Sequence, residues 1–375
     1  MVNFFLNEIC SPKQWKTISS NKLLKSGYPV YGANGKIGFY SKYTHSEPTI
    51  LITCRGATCG TINVCEPQSY VNGNAMALDK LSPKVSLEYL KYILIARGLD
   101  DVISGSAQPQ ITRTNLNRIK IPLPPLVAQK RIAEILDNAA ALRDKIKALL
   151  KEYDQLAQSI FLNMFGDPVT NPKKWKKNKI KNLGKTITGN TPPRSNPEFY
   201  GDFIEWIKTD NINTPNMYLT PAEEYLSKMG MKKGRVVDDG AILVTCIAGS
   251  RKVIGNVSIA DRRVSFNQQI NAFVPSNNCS LFWYYQFVIG KHYVQNNSTN
   301  GMKGIITKSK FQDMEFINPP IDQQTQFAVK ITLIEQQKQL AKQELKESED
   351  LFQALLQKAF KGELVNVEKF EMKLN

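Results

Sequence analysis

The sequence predicts an α/β (α+β) protein of two similar halves, in which each globular domain is followed by a long helix and the two helices form an antiparallel coiled coil. Two observations indicate this: an internal repeat, and two segments in which apolar residues recur every seven positions. The 375 residues then divide into globular segments 1–124 and 167–319, helices 125–166 and 320–363, and a tail 364–375. A chain of this length is too long for one ordinary hydrophobic core.

The repeat has a constant offset of 195 residues from residue 72 onward. Asn72 corresponds to Asn267, because 267 − 72 = 195, and Gln129 corresponds to Gln324. Further pairs at this offset are Ala77 and Ala272, Ile111-Thr112 and Ile306-Thr307, Pro124-Pro125 and Pro319-Pro320, Leu150-Lys151-Glu152 and Leu345-Lys346-Glu347, and Phe165 and Phe360. Upstream, Leu51-Ile52-Thr53-Cys54 matches Leu243-Val244-Thr245-Cys246 at an offset of 192. We therefore expect a pseudo-twofold architecture, in which the two halves of the chain have the same fold and superpose.

The two long helices are predicted by an apolar seam, meaning the rows of residues that face the other helix. In the first helix the predicted seam is Ile135, Leu142, Leu149 and Leu156, interleaved with Ala139, Ile146, Tyr153 and Ile160. In the second it is Phe327, Ile331, Ile334, Ala341, Leu345, Phe352 and Leu355, interrupted by Lys338 and Ser348. Gly166 and Pro168 are expected to end the first helix, because Gly adopts the left-handed cap and Pro cannot continue a helix. Each helix of about 40 residues would be about 60 Å long.

The globular segments are typical of mixed α/β structure. Short β-rich runs at 49–53 and 241–245 are bounded by Gly and Pro turns, and helical patches occupy 87–96 and 281–289. The sequence does not indicate their topology.

Charge and cysteine usage narrow the classes of function. Lys plus Arg exceed Asp plus Glu by 49 − 33 = 16, which favours a polyanionic partner such as nucleic acid. The six cysteines form no C-x-x-C pair, and His45 and His292 lie far apart, so we expect reduced thiols and no metal site. The sequence contains neither a recognisable secretion signal nor an apolar run of bilayer length, which predicts a cytoplasmic protein.

Motifs for catalysis are weak in this sequence. Asn318-Pro319-Pro320-Ile321 is similar to an amino-methyltransferase motif, but its fourth residue is aliphatic and cannot stack on a flipped base. The equivalent stretch of the first copy is Leu123-Pro124-Pro125-Leu126, so a proline pair at the entry to each helix explains both. Gly32 to Lys36 and Gly301 to Gly304 lack the frame of a phosphate-binding loop. A nuclease built on Asp, Glu and Lys is not excluded by spacing, although nothing favours one.

Taken together, the motifs resemble the specificity subunits of Type I restriction-modification systems over nearly the whole chain. Residues 28–38 (YPVYGANGKIG) and 50–60 (ILITCRGATCG) resemble a first target recognition domain, and 189–194 (GNTPPR) with 203–212 (FIEWIKTDNI) resemble a second. The proline pair, the Gln that follows, the long helix and the closing Phe and Gly are similar to the spacer regions of that family. Segments 1–124 and 167–319 would then be the recognition domains and the two helices the spacers.

The resemblance implies that each domain recognises one half of a bipartite, asymmetric site in double-stranded DNA and that the paired helices set the gap between the halves. It also implies two modification subunits as partners, which methylate adenine, and restriction subunits that join to form a cutting complex. The chain itself would hold no cofactor, since S-adenosylmethionine, ATP and magnesium would be bound by those partners. It would not be an enzyme.

Candidate DNA-binding residues are basic or amide side chains in glycine-containing loops. Lys and Arg bind phosphates, Arg and Lys also pair with guanine, and Asn and Gln pair with adenine. In the first domain the candidates are Lys36, Arg55, Gln108, Gln110 and Arg113. In the second they are Arg194, Lys208, Arg251, Lys252, Lys303 and Lys308. Arg55 and Arg251 are favoured, because both follow the matched Thr-Cys strand.

Two other classes of function stay open at this point. One is a single-chain DNA modification or restriction enzyme with an unrecognised active site. The other is a coiled-coil adaptor between two protein-binding domains, against which the charge of +16 argues.

Overall fold

The structure is a computed structural model, and it describes residues 2–33, 35–105, 107–276, 279–299, 301 and 303–366. The chain forms two compact units. Unit 1 comprises Met1–Ala148 with Lys342–Asn375, and unit 2 comprises Leu149–Ala341. The division therefore falls inside both long helices. Most of the predicted tail 364–375 lies outside the described residues.

Unit 1 contains short strands and three helices before the first long helix. The strands are β1 (Val2–Phe5), β2 (Ser11–Gln14), β3 (Tyr28–Gly32), β4 (Gly35–Tyr40), β5 (Ile50–Thr53), β6 (Ile62–Val64), β7 (Tyr70–Val71), β8 (Ala75–Asp79), β9 (Ile103–Ser104), β10 (Gln110–Ile111) and β11 (Lys120–Leu123). The helices are α1 (Leu6–Ile9), α2 (Leu87–Arg97), α3 (Arg113–Asn117) and α4 (Leu126–Phe165). Gly166 follows α4 with φ of 77°, the left-handed cap expected there.

The sheets of unit 1 are small and mostly antiparallel. The order β2-β8-β5-β6 forms the central sheet, and β4-β3-β7 forms a second sheet in which β3 and β7 are parallel. Strand β1 pairs with β11, and β9 with β10. The core joins the central sheet to α2 and to residues of both long helices, among them Ile132, Leu136, Phe352 and Leu356.

Unit 2 repeats this plan. The strands are β12 (Lys177–Lys179), β13 (Gly184–Thr188), β14 (Tyr200–Ile207), β15 (Tyr225–Leu226), β16 (Val236–Val237), β17 (Ile242–Thr245), β18 (Ile247–Ala248), β19 (Val257–Ile259), β20 (Val264–Phe266), β21 (Ile270–Pro275), β22 (Gly304–Ile305) and β23 (Glu315–Ile317). The helices are α5 (Lys228–Lys233), α6 (Ser280–Ile289), α7 (Lys291–Asn296), α8 (Lys308–Asp313) and α9 (Ile321–Lys361).

The central sheet and the parallel strand pair of unit 2 match those of unit 1, whereas the second sheet has four strands in unit 2, β15-β14-β20-β16, and three in unit 1. The order β13-β21-β17-β19 corresponds to β2-β8-β5-β6, and the parallel pair β14 and β20 corresponds to β3 and β7. Single hydrogen bonds repeat as well. The amide of Ile111 donates to Cys54 at 3.0 Å, and the amide of Ile306 donates to Cys246 at 2.8 Å. The internal repeat predicted from the sequence is confirmed.

The entry to each long helix is fixed by a glutamine, Gln129 for α4 and Gln324 for α9. The side-chain amide of Gln129 donates to the carbonyl of Pro124 at 2.8 Å, and Gln324 does the same to Pro319 at 2.8 Å. The backbone amides of Gln129 and Gln324 donate to the carbonyls of Pro125 and Pro320, so the second proline of each pair occupies the cap position of its helix.

The predicted seam of α9 is buried or half-buried. Of the two rows predicted for the seam of α4, one is correct and the other is wrong. The row Ala139, Ile146, Tyr153 and Ile160 is buried or half-buried as expected. Leu142, Leu149 and Leu156 are instead 50%, 37% and 48% exposed. The row that turns inward is displaced by one residue and consists of Leu136, Arg143, Leu150 and Ala157. These four residues are the 195-residue equivalents of Ile331, Lys338, Leu345 and Phe352.

Within each unit the two long helices lie side by side and antiparallel. In unit 1 the guanidinium of Arg143 lies 5.0 Å from the ring centre of Phe352, and Lys147 pairs with Glu349 at 2.8 Å. In unit 2 the rings of Phe161 and Phe327 are 5.4 Å apart, and Lys338 pairs with Asp154 at 2.7 Å. The residue numbers rise on one helix as they fall on the other. Whether the helices supercoil remains a prediction.

Candidate nucleic-acid interface

In unit 1, Arg55 and Gln110 come together at the end of the central sheet. Strand β5 ends at Thr53, and Arg55 then forms a single antiparallel bridge with Gln110. The bridge is held on both sides, because Ile111 donates to Cys54 at 3.0 Å and Gly56 donates to Pro109 at 3.1 Å. Both side chains are exposed. We call this end of the sheet edge 1, defined by residues 54–60 and 107–112.

Of the other candidates of unit 1, Gln108 and Lys36 lie near edge 1, whereas Arg113 reaches Ser11, at the end of β2 away from edge 1. Gln108 is exposed two residues before Gln110, which begins β10. Thr53 donates a hydrogen bond to Ala33, which brings the β3–β4 turn beside the end of β5, and Lys36 follows that turn. The ammonium of Lys36 is 3.9 Å from Glu66. Arg113 begins α3, where it donates weakly to Ser11 at 3.4 Å.

Unit 2 has an equivalent edge built on a two-stranded ladder. Strand β18 pairs with β22 through Ile247 and Ile305. These two residues are the equivalents of Arg55 and Gln110, at offsets of 192 and 195. We call this end of the sheet edge 2, defined by residues 246–253 and 303–308. Lys303 is exposed beside β22, and Lys308 is exposed at the start of α8.

Arg251 follows the matched strand, as Arg55 does, but it does not occupy the place of Arg55 in the repeat. It lies in a short 3-10 turn, Arg251–Val253, four residues beyond Ile247. Its guanidinium donates to the carbonyl of Gln295 at 3.3 Å and to the side chain of Asn296 at 3.2 Å. Arg251 and Lys252 remain exposed at edge 2, but Arg251 is already partly engaged with α7.

Arg194 and Lys208, distant in sequence, converge on one carboxylate of unit 2. Arg194 pairs with Glu224 at 2.6 Å, and Lys208 pairs with the other oxygen of the same group. Hydrogen bonds from Lys208 and then Arg194 hold the pKa of Glu224 below its usual value, so it is ionised at neutral pH. The Arg194 guanidinium also lies over the ring of Tyr200, 4.5 Å from its centre, and 5.1 Å from that of Trp206. The planar group is thus held in place while 56% of the side chain stays exposed.

Sequence reasoning missed two exposed amides at these edges, Asn74 and Gln268. The carbonyl of Asn74 accepts from Cys54 at 3.1 Å, which places it directly beside Arg55. Gln268 hydrogen-bonds Thr191 and so joins the loop that carries Arg194 to the end of the sheet. Both follow the matched pair Asn72 and Asn267, and this position in the repeat could have identified them.

The described residues do not assemble a recognisable catalytic or metal centre. Among them, no group of three or more His, Cys, Asp or Glu side chains is arranged to hold a metal ion. Burial raises the pKa of Cys10 and of Cys246 to about 12, which makes both thiols poor nucleophiles. In the same part of the chain, no helix has the length and apolarity needed to cross a membrane.

The Asn318 side chain has a structural role in the helix entry. Its oxygen accepts a hydrogen bond from Gln324 at 3.2 Å, and its backbone amide donates to Lys176 at 2.8 Å. Asn318 therefore fixes the start of α9, as expected of a motif that begins a helix.

Comparison with known proteins defines the class. A sequence model of the Type I restriction modification DNA specificity domain matches residues 1–152 and 172–349. These two ranges cover most of the chain and coincide with the two copies of the repeat, so the chain belongs to the Type I restriction modification DNA specificity family.

Individual relatives carry the same description. The chain is 30% identical over 155 residues to the Type I restriction enzyme HindI specificity subunit of Haemophilus influenzae, covering 40% of this chain and 32% of that protein. It is 25% identical over 295 residues to the putative type I restriction enzyme MjaX specificity subunit of Methanocaldococcus jannaschii, covering 72% of this chain and 66% of that protein. The matched region spans about a third of the HindI protein and of the EcoprrI specificity subunit of Escherichia coli.

Solved structures show the same fold. The Type-I restriction-modification system S subunit from M. genitalium superposes with a TM-score of 0.60 at 13% identity, covering 96% of each chain. A chain from a study of complex assembly and conformational transition of the type I R-M system gives a TM-score of 0.58 at 18% identity, covering 97% of this chain and 98% of that one.

Proposed function

We propose that this chain is the DNA-specificity subunit of a Type I restriction-modification complex and that each unit recognises one half of a bipartite, asymmetric DNA site. The observation that supports this best is the pair of equivalent edges, one in each copy of the repeat, that expose different basic and amide side chains. Equal folds with unequal edges are what an asymmetric target requires. Family membership supports the same function.

Edge 1 is suited to base recognition because its two central side chains, Arg55 and Gln110, are chemically complementary to two different bases. A guanidinium pairs in bidentate fashion with the O6 and N7 atoms of guanine, and a glutamine amide with the N6 and N7 atoms of adenine. Arg55 and Gln110 lie directly opposite each other in the bridge, so they would contact neighbouring bases. The hydrogen bonds on both sides of the bridge fix their backbone before DNA arrives.

At edge 2 the corresponding positions are occupied by Ile247 and Ile305, which offer no hydrogen bonds to bases. Recognition in unit 2 would instead depend on Arg194, Gln268 and the lysines beside β22. Arg194 is the best oriented of these, because Glu224, Tyr200 and Trp206 hold its guanidinium plane. The second half of the site should therefore differ in sequence from the first.

The exposed leucines of α4 are a candidate docking surface for the modification subunits. Leu142, Leu149 and Leu156 recur every seven residues, which is just short of two helical turns, so they lie along one side of the helix. Leucines exposed along one side of a helix offer apolar surface that a partner protein can bury. We propose that two modification subunits bind the spacer helices and methylate adenine with S-adenosylmethionine. This chain itself would then catalyse no reaction and bind no cofactor. Restriction subunits with ATP and magnesium would complete the cutting complex, and its place would be the cytoplasm.

Selection of duplexes from a random library by the purified full chain tests the proposal. We expect two short motifs separated by a fixed gap. Arg55→Ala should relax one motif and weaken binding to the selected duplex by about 1–3 kcal/mol, because a bidentate contact to a base is lost. Arg118→Ala, at an exposed arginine in the same unit, serves as the control.

The result has clear alternatives. Equal weakening on selected and random duplexes would mean that Arg55 binds phosphate only. Selection of a single uninterrupted motif would contradict recognition by two units. Methylation or cleavage by the homogeneous chain with S-adenosylmethionine or magnesium, abolished by a point mutation in it, would show instead that the chain is an enzyme.

A further inference from the structure

A stretch of unit 2 is rich in lysine, and four of its lysines occupy positions where unit 1 has uncharged residues. Residues 173–185 contain Lys173, Lys174, Lys176, Lys177, Lys179, Lys181 and Lys185. Two of these have evident structural roles. Lys173 donates to the carbonyls of Asn163 and Met164 at the end of α4, and Lys177 donates to Val169. The remaining five, Lys174, Lys176, Lys179, Lys181 and Lys185, are here called the lysine surface.

The lysine surface is exposed and poorly neutralised. Lys174, Lys176, Lys181 and Lys185 are exposed, and Lys179 is half-buried. Lys179 and Lys181 share one carboxylate, Asp313, at 3.3 and 2.8 Å. Within the described part of the chain, the side chains of Lys174, Lys176 and Lys185 form no ion pair or hydrogen bond. Charges of one sign brought together in this way repel one another and disfavour the compact state unless an anion from outside binds them.

The repeat shows that the fold does not need these charges. Strand β12 pairs with β23 as β1 pairs with β11, so Lys179 opposite Glu315 is equivalent to Phe5 opposite Lys120. Likewise Lys185 opposite Val274 is equivalent to Ser11 opposite Asp79. The equivalents of Lys177, Lys179, Lys181 and Lys185 are Asn3, Phe5, Asn7 and Ser11. Unit 1 builds the same strands without a single lysine at these positions.

The lysine surface is connected to edge 2 by one short helix. Helix α8 packs against the 3-10 turn Ile180–Asn182 and against β13, and its last residue, Asp313, contacts Lys179 and Lys181. Its first residue is Lys308, at edge 2. Five residues of helix correspond to about 8 Å. A polyanion bound at edge 2 that continues past α8 would therefore reach the lysine surface.

We propose that the lysine surface binds the phosphate backbone of duplex DNA beyond the half-site recognised by unit 2. This inference rests on the proposed function, and it adds that the two units bind DNA unequally. Unit 2 supplies sequence-independent, salt-sensitive affinity from positions where unit 1 has uncharged side chains, while both units supply specificity. Phosphate contacts made by lysine release condensed counterions, so each contact adds about 0.9 to the slope of log K against log salt.

The test compares two charge-matched variants of the full chain. The first, Lys174→Gln/Lys176→Gln/Lys185→Gln, removes the three lysines without a described partner. The control, Lys145→Gln/Lys151→Gln/Lys346→Gln, removes three exposed lysines of the long helices and the same total charge. Binding to a fluorescently labelled random-sequence duplex is measured by anisotropy between about 50 and 200 mM salt. Thermal melting confirms that each variant folds, and Lys→Arg at the first three positions restores the charge.

We expect the first variant to lower the salt slope by about 2 to 3, the control to change it by less than 1, and the arginine variant to regain the parent slope. Random and selected duplexes should weaken by the same factor. If both lysine variants give the same slope, the proposal is wrong while DNA recognition stands. If the parent chain shows no salt-dependent binding, the proposed function fails as well. A first variant that melts early while the arginine variant binds like the parent would still support the role of the charge.

Discussion

The length of the paired helices should determine the gap between the two halves of the DNA site. The perturbation that follows from the structure is a seven-residue insertion in both helices, between Ala148 and Leu149 and between Ala341 and Lys342, where the units divide. Seven residues preserve the rows of the seam, since the buried positions of α4 and α9 repeat with that period. Contacts inside each unit, such as Lys147 with Glu349 and Lys338 with Asp154, stay intact.

The expected change in the gap follows from helix geometry. Seven residues add about 10.5 Å of helix at 1.5 Å per residue. Base pairs rise about 3.4 Å along the axis, so the gap should lengthen by up to about three base pairs. The motifs themselves should not change, because neither edge is altered.

Selection from a random duplex library, or methylation mapping of a reconstituted complex, measures the gap directly. An insertion in α4 alone is the control. The contacts between α4 and α9 inside unit 1 and those inside unit 2 could then not all form in the same molecule, so the melting temperature should fall. An unchanged gap with binding retained would refute the role of the helices in setting the spacing.

The remaining predictions concern the buried polar positions of α9. Lys338→Met should destabilise unit 2 by about 3 kcal/mol in chemical denaturation, because the side chain of Glu335 is only 11% exposed and would lose its partner. Adding Glu335→Leu should recover most of this loss, because no buried charge is then left unpaired. Equal stability of the single and the double variant would contradict this explanation. Ser348→Ala should raise the free energy of unfolding by about 1 kcal/mol, because the Ser348 hydroxyl is buried without a hydrogen bond in the described structure; a lower melting temperature would show otherwise.

The sequence identified the repeat and the helices because both leave long, periodic signals. The strands at 49–53 and 241–245 were found as β5 and β17, and the helical patches as α2 and α6. The inward row of α4 was misplaced for a definite reason. Apolar pairs such as Leu149 and Leu150 put leucine in two adjacent rows, and Arg143 made the true row look polar. Arg143 is half-buried and is equivalent to Lys338, a buried charge that the sequence had already placed in the seam of α9, and this equivalence would have identified the row.

The candidate interface was less predictable, because it depends on which loops meet. Arg55 and Gln110 are 55 residues apart, and only the bridge shows them to be neighbours. The matched strand alone does not place Arg251, which lies four residues beyond the equivalent of Arg55 and donates to the carbonyl of Gln295 in α7. Glu224 could not be found at all from sequence, because its role depends on the meeting of Arg194 and Lys208.

The order in which the two units can fold during synthesis follows from how the chain is divided between them. Unit 2 is one uninterrupted stretch, whereas unit 1 needs Phe352, Leu356 and Ala359 from the end of α9 to complete its core. A ribosome therefore delivers all of unit 2 before unit 1 can close, although the first strands of unit 1 emerge earliest. Until the end of α9 is synthesised, Ile132 and Leu136 lack part of the apolar core in which they are buried, and the nascent chain exposes them. A message truncated before residue 352 would thus yield a protein with a finished second half and an open first half, a substrate for chaperones and proteases.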